Sequence, residues 1–249
     1  MIEFINVSKK FSSEPEPIDV LKNVSFSVKS GEFVAIMGPS GSGKSTLLGI
    51  AAGLDKPDVG VVSFDGIDLV KENESSLANI RAKSIGFIFQ NFQLLPGMNA
   101  LENVGIPLYL TSNMSEKQIL EKSLDLLSSV SMQHRAGHFP KQLSGGEEQR
   151  IAIARAFINE PKVIFADEPT ANLDSKNSKV VLDLLLERNK KLNTTLIIVT
   201  HDPAVAKLAD RILEMRDGEI LNSKNSETKF KSVSRAKQPK KKSNKSRKV

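Results

Sequence analysis

The 249-residue chain is 39% hydrophobic and 26% charged, a balance that suits a globule with a substantial core. It has no cysteine, which excludes a disulfide framework or a thiolate metal site, and its three histidines (His134, His138 and His201) lack ligand spacing. The net charge of +6 is unevenly placed: residues 222–249 hold eleven of the 35 Lys and Arg but one of the 29 Asp and Glu, so they carry +10 and the first 221 residues carry −4.

Residues 2–7 alternate as a strand does, and Val24, Phe26 and Val28 repeat the pattern before a Ser30-Gly31 turn. Between them SSEPEP interrupts regular structure. FVAIM (33–37) is a short continuous apolar run, as expected for a buried parallel strand, and LLGIAAG (47–53) continues as a helix. The two flank GPSGSGKST (38–46), a complete phosphate-binding loop. Gly38, Gly41 and Gly43 let backbone N–H groups curl around phosphate oxygens, with Pro39, Ser40, Ser42 and Thr46 completing the loop. Lys44 is placed to reach the β and γ phosphates of a nucleotide, and Ser45 to ligate Mg²⁺.

Residues 84–89 read as a strand ending at Gln90. Residues 115–131 place Ile119, Leu120, Leu124, Leu127 and Val130 at helical spacing, the mark of an amphipathic helix. His134 and His138 match no motif and are read as surface residues. LSGGE (143–147), followed by Ile151, Ala152, Ile153, Ala154 and Ala156, reads as a glycine-opened helix N-terminus, a second anion site. Two such helix starts beside one nucleotide motif suggest that the spare one serves another molecule's nucleotide. VIFAD (163–167) and TLIIVT (195–200) are again buried-strand runs, separated by a helical segment from 178 to 190. Asp167 and Glu168 emerge at the C-terminal edge of VIFAD, where open α/β sheets bind ligands: Asp167 is placed to hold Mg²⁺, leaving Glu168 free to polarise an attacking water. Asp217-Gly218 signals a hairpin.

The alternation implies an α/β fold with a largely parallel sheet, and the segment from about 91 to 160 is expected to be a helical lobe inserted into it. The lack of cysteine fits a reducing, cytoplasmic compartment; apolar runs stay far below the roughly 20 residues of a membrane span and the N-terminus lacks signal-peptide layout, so any membrane role is expected to come through a partner or a surface contact. Residues 222–249, nearly devoid of apolar side chains, are expected to be a disordered basic extension. It is read as functionally silent or as a contact for anionic lipid, with nucleic acid the least favoured partner.

In order and spacing these motifs resemble the ATP-binding cassette (ABC) ATPases over residues 1–221, with LSGGE matching that family's signature motif. The resemblance implies a P-loop NTPase (RecA-like) core with an N-terminal antiparallel β subdomain and an inserted α-helical lobe. It also implies hydrolysis of MgATP, with Glu168 as general base, His201 contacting the γ-phosphate and orienting the water, and Gln90 touching Mg²⁺ or that water. Phe11 stands where relatives carry an aromatic that stacks on adenine, usually tyrosine; a place in the hydrophobic core remains its alternative. Ser144 and the amides of Gly145, Gly146 and Glu147 would donate to the γ-phosphate held by a partner copy, and Asn172, Leu173 and Asp174 would cross the dimer interface. Glutamine is commoner than glutamate at the position of Glu147. NFQLLPGMNALENVGIPL (91–108) is especially similar to the lipoprotein-releasing and macrolide-exporter branch. That implies a peripheral subunit on the cytoplasmic face of the inner membrane, sandwiching ATP as a homodimer and driving an integral-membrane permease with a large external domain. Phe92, Leu94, Leu95, Pro96 and Met98 are candidates for the permease contact. A division-site scaffold or a non-transport cassette ATPase is the alternative.

Overall fold

The computed structural model describes residues 1–12 and 16–225. The N-terminal strands build an antiparallel sheet: β1 (Ile2–Phe11) pairs with β2 (Ile18–Val28) on one side and β4 (Val59–Phe64) on the other, and the short β5 (Ile67–Asp68) joins β4. Alternation fixes which face is inside. Ile2, Phe4, Leu21, Val24, Val62 and Phe64 are buried, whereas Ile5, Val59 and Val61 face out.

The second sheet has the order β10-β9-β3-β8-β7-β6. Its strands β3 (Phe33–Met37), β6 (Ile85–Ile88), β7 (Val163–Asp167), β8 (Thr195–Thr200) and β9 (Arg211–Arg216) run parallel, and β10 (Glu219–Asn225) returns antiparallel along β9. The central strands are covered on both faces, which is why FVAIM, VIFAD and TLIIVT are continuous apolar runs. Met37 pairs with Thr200 and Asp167 with Val199, so the C-terminal ends of β3, β7 and β8 finish level and the segments leaving them converge.

Helix α1 (Lys44–Ala51) follows β3 and lies between the two sheets, in a core with Phe4, Val24, Phe64 and Phe165. Three helices separate β6 from β7: α3 (Ala100–Thr111), α4 (Glu116–Ser129) and α5 (Gly145–Phe157), with α2 (Glu74–Ser84) preceding β6. The expected inserted segment is therefore helical, but α5 belongs to both bodies. Its Ile153, Ala156 and Phe157 pack with β8 and α6 (Ser175–Leu192), while Ile151, Ala154 and Ile158 pack against α3 and α4. A helix apolar on two sides is the seam between lobe and sheet.

The Asp217-Gly218 turn closes the β9-β10 hairpin with φ of 48° and 85°, the doubly positive geometry that suits the twist of such hairpins. β10 then continues to Asn225, so residues 222–225, read as the start of the disordered extension, form a strand instead. Edge pairing uses backbone groups and needs no apolar side chains; Lys224 adds an ion pair to Glu214 at 2.8 Å. The rest of the basic segment lies outside the described residues.

Candidate functional site

The convergent strand ends enclose a cavity of about 400 Å³. Ser40, Gly41, Gly43, Lys44, Ser45 and Thr46 form its floor, Gln90, Asp167 and Glu168 one wall, and Phe11 and Val20 the other. Most of the residues assigned to the phosphate loop and its metal thus meet in one place. Gly38, Pro39 and Ser42 shape the loop without lining the cavity: a Cβ on Gly38 would lie 2.2 Å from the Met215 carbonyl oxygen, so the loop can run this close to β9 only without a side chain there.

Lys44 is nearly buried, and its ammonium donates to the carbonyls of Gly38 and Pro39 at 2.9 and 2.8 Å, folding the loop around itself. Helix α1 begins at Gly43, at φ 98°, with no side-chain cap and no acidic residue in its first turn. Its leading N–H groups are therefore left for an anion, with the helix dipole behind them. Above the loop, burial pushes the Asp167 carboxyl above the ordinary carboxylate range and Glu168 adds to this, while the Ser45 hydroxyl hydrogen-bonded to it and the Lys44 charge pull the other way. Asp167, Ser45 and Gln90 offer hard oxygen donors on one cavity, the donor chemistry that suits Mg²⁺. Among the described residues no cluster of three or more His, Cys, Asp or Glu could hold a metal unaided. Such an ion would need phosphate oxygens or water to complete its shell.

Glu168 lies at φ 44°, a left-handed conformation in a residue that precedes proline. His201, following β8, places Nδ1 3.1 Å from the Glu168 Oε2. The histidine is two-thirds exposed and stands off the cavity, on an adjoining hollow with Gly38 and Pro39. Phe11 is 44% exposed, which removes it from the core and leaves it on the cavity wall, with the Lys9 ammonium 5.3 Å from its ring centre.

None of Ser144, Gly145, Gly146, Glu147 and Asp174 lines this cavity. They form a second constellation at the start of α5. Ser144 is the N-cap in a full capping box: Glu147 Oε2 accepts from the Ser144 N–H at 2.8 Å and from its hydroxyl at 2.9 Å. Arg135 Nε holds the other carboxylate oxygen at 3.0 Å and its Nη1 meets His138 Nε2, also at 3.0 Å, so His138 is a half-buried partner here and not a bare surface residue. The Ser144 amide and hydroxyl and this guanidinium together hold the Glu147 carboxyl below its usual range. Asp174 caps α6 through the Asn177 amide at 2.9 Å, and the Asn177 side chain packs beneath Gly146.

Sequence reasoning missed Val20, Arg135, Gln149 and Arg155. Arg155 donates to the carbonyls of Gln93 and Phe92 at 2.6 and 2.8 Å, tying α5 to the segment after Gln90 where both residues have positive φ. Leu95, Pro96 and Met98 in that segment are exposed, and Phe92 and Leu94 half-buried.

The chain matches the family model described as ABC transporter over residues 21–171. It is 45% identical over 221 residues to YvrO of Bacillus subtilis (strain 168), an uncharacterized ABC transporter ATP-binding protein, covering 89% of this chain and 96% of that protein. It is 43% identical over 225 residues to LolD of Buchnera aphidicola subsp. Schizaphis graminum, a lipoprotein-releasing system ATP-binding protein, covering 90% and 98%. The dimeric post-hydrolysis structure of the ATP-binding cassette MJ0796 bound to ADP and Pi superposes with a TM-score of 0.86 at 43% identity, covering 90% of this chain and 98% of that one.

Proposed function

This chain belongs to the ABC transporter family and is an ATPase of the ATP-binding cassette type, and from that premise we propose that it is the energy-supplying subunit of an inner-membrane transporter. Two copies sandwich two ATP molecules, each nucleotide lying between the phosphate loop of one copy and the α5 start of the other. The observation that carries this reading is the split site: one cavity holds the phosphate loop, Asp167, Glu168 and Gln90, and the capped helix start at Ser144 stands outside it. A second chain brings the halves together.

Within each site the N–H groups of residues 40–46 bind the phosphates and Lys44 supplies the positive charge. Two of its three N–H donors are committed to loop carbonyls, which aims the third outward. Ser45, Asp167 and Gln90 would hold Mg²⁺, which neutralises phosphate charge when bound. Glu168 takes the proton of the attacking water, and His201, in contact with its carboxylate, orients that water and the γ-phosphate. Phe11 stacks on the base. Ser144, Gly145, Gly146 and Glu147 complete the partner's site, with Asp174 at the interface.

Among the described residues no helix is long and apolar enough to cross a membrane. We place the protein peripherally, on the cytoplasmic face, bound to a permease through the exposed segment containing Leu95, Pro96 and Met98. The relatives named for lipoprotein release support a lipoprotein-releasing transporter, and in this reading dimer closure moves an external domain of its permease. The segment 226–249 contacts anionic lipid in this reading: truncation after Asn225 leaves ATP turnover unchanged and weakens binding to anionic liposomes at low salt, by about 1 kcal/mol per surface-proximal Lys or Arg. Equal liposome binding with and without the segment would remove this role.

Glu168→Gln tests the mechanism. ATP binding should persist and turnover fall by about 10²-fold or more, the usual cost of losing a general base, and the variant should accumulate as an ATP-bound dimer. Near-normal phosphate release by the purified variant would sink the assignment.

A further inference from the structure

Gln149 lies on α5, one turn past the Ser144 cap, and is fully buried. Its Nε2 donates to the carbonyl of Pro169 at 2.8 Å, and its Oε1 has no hydrogen-bond partner. A buried amide with one end unsatisfied costs free energy that an apolar residue of the same size would not. Turning the amide over would set its oxygen against the Pro169 carbonyl, so the donor end has to face this way. What is retained, then, is the one bond to Pro169.

Pro169 is buried and follows Glu168, whose backbone is left-handed at φ 44°. A residue before proline is driven toward extended backbone, and a non-glycine residue at positive φ persists only where its surroundings over-determine it. Three bonds do so here. The Glu168 N–H donates to Val199 at 2.9 Å from the sheet, the Ala171 N–H donates to the Glu168 carbonyl at 3.1 Å, and Gln149 grips the next carbonyl from the lobe side. Of the three, only the last comes from α5, the helix whose start forms the other half of the split site.

We propose that Gln149 is a positioning residue for hydrolysis: its side chain fixes the carbonyl of Pro169, the residue after Glu168, and so holds the carboxylate where it meets water, coupling the seating of α5 to the activity of the base. This rests on the reading of Glu168 as general base. A change in the lie of α5 when its N-terminus engages a partner's nucleotide would be passed through a single rigid bond to the reacting group of its own chain.

The test uses the full-length chain. Gln149→Met keeps the volume and removes the donor; Gln149→Leu does so with another shape, so agreement between them separates the bond from packing. Turnover at saturating MgATP should fall roughly ten- to a hundredfold, the cost of misplacing a reacting group by about an ångström, while the dissociation constant for ATP stays within about twofold. The double variant Gln149→Met, Glu168→Gln should hydrolyse at the rate of Glu168→Gln alone, because a residue acting through the base has nothing left to position. Wild-type turnover of both Gln149 variants beside an inactive Glu168→Gln would overturn this inference alone. So would an equal further loss in the double variant, which marks a general structural role. Near-normal turnover of Glu168→Gln would overturn the base and the inference together.

Discussion

The proposed function assigns phosphate to the starts of two helices, and their first turns are built on opposite plans. Helix α1 starts at a glycine with positive φ, has no side-chain cap and no acidic residue in its first turn, and carries the buried Lys44 at its first position. Helix α5 starts at Ser144 in a complete capping box, with Glu147 and Glu148 in its first turn. The first is an anion site with its donors free. The second has tied its Ser144 amide and hydroxyl to its own carboxylate, a cap that does not engage the Gly145 and Gly146 amides, so a phosphate must share it. In the proposed dimer one chain thus pairs an unconditional half-site with a conditional one, so that nucleotide capture would be a property of the monomer and completion of the site a property of the dimer.

Swapping glycine for alanine at each start should break the comparison most visibly. At Gly43 a Cβ would lie 2.6 Å from the Val20 carbonyl oxygen, with φ at 98°. Gly43→Ala is expected to lose ATP binding and about 1–3 kcal/mol of stability, which a thermal melt reads as a fall of several degrees. At Gly145 the nearest atom to a Cβ is Phe92 Cζ at 3.5 Å, an ordinary contact, and φ is not positive. Gly145→Ala should melt with the wild type and bind ATP as well, yet lose roughly tenfold or more in turnover, because the added methyl group holds the partner's γ-phosphate off the α5 amides and weakens their hydrogen bonds to the reacting oxygens. A Gly145 variant that hydrolyses normally would deny α5 its phosphate.

A smaller effect sharpens the α1 side. Phe11→Ala removes the exposed ring from the cavity wall and should weaken ATP binding by roughly 1 to 2 kcal/mol, about tenfold, with Mg²⁺ dependence intact. An unchanged dissociation constant, measured by titration calorimetry, would return the ring to a purely structural place.

The two plans were not equally legible. The phosphate loop and the strands beneath it could be read because each demand falls on a residue type: glycine where the backbone must pass close, apolar residues where a strand is covered on both faces. The capped start could be read as a helix, but not as one whose capping carboxylate is charge-paired, since the cation opposing Glu147 comes from Arg135 in a separate turn. Gln149 and Arg155 escaped notice for the same reason. Their partners are backbone carbonyls at Pro169, Phe92 and Gln93, and a carbonyl acceptor leaves no mark on residue type. Helix α2 was missed because it buries only Leu77, too little for a periodic pattern. β4 and β5 were missed although Asp65-Gly66 between them repeats the doubly positive turn that was read correctly at Asp217-Gly218.

The smallest expected effect bears on how a carboxylate could stand at the mouth of the phosphate site proposed at α5. Glu147 is anionic, and a bare negative charge in the first turn of α5 favours the helix while repelling the phosphate it is to receive. Arg135 answers the second problem without disturbing the first: it takes Oε1 and leaves Oε2 to the Ser144 cap. Arg135→Met should therefore weaken ATP-dependent dimerisation by about two- to fivefold at low salt, the range of a partly exposed ion pair, and by less as salt rises. Glu147→Gln in the same chain should restore it, because a neutral amide can still accept from Ser144 and no longer needs a cation. Light scattering of the ATP-bound state reads both. If the double variant stays as weak as Arg135→Met, the arginine serves the fold of its own turn, and the charge at Glu147 is screened by other means.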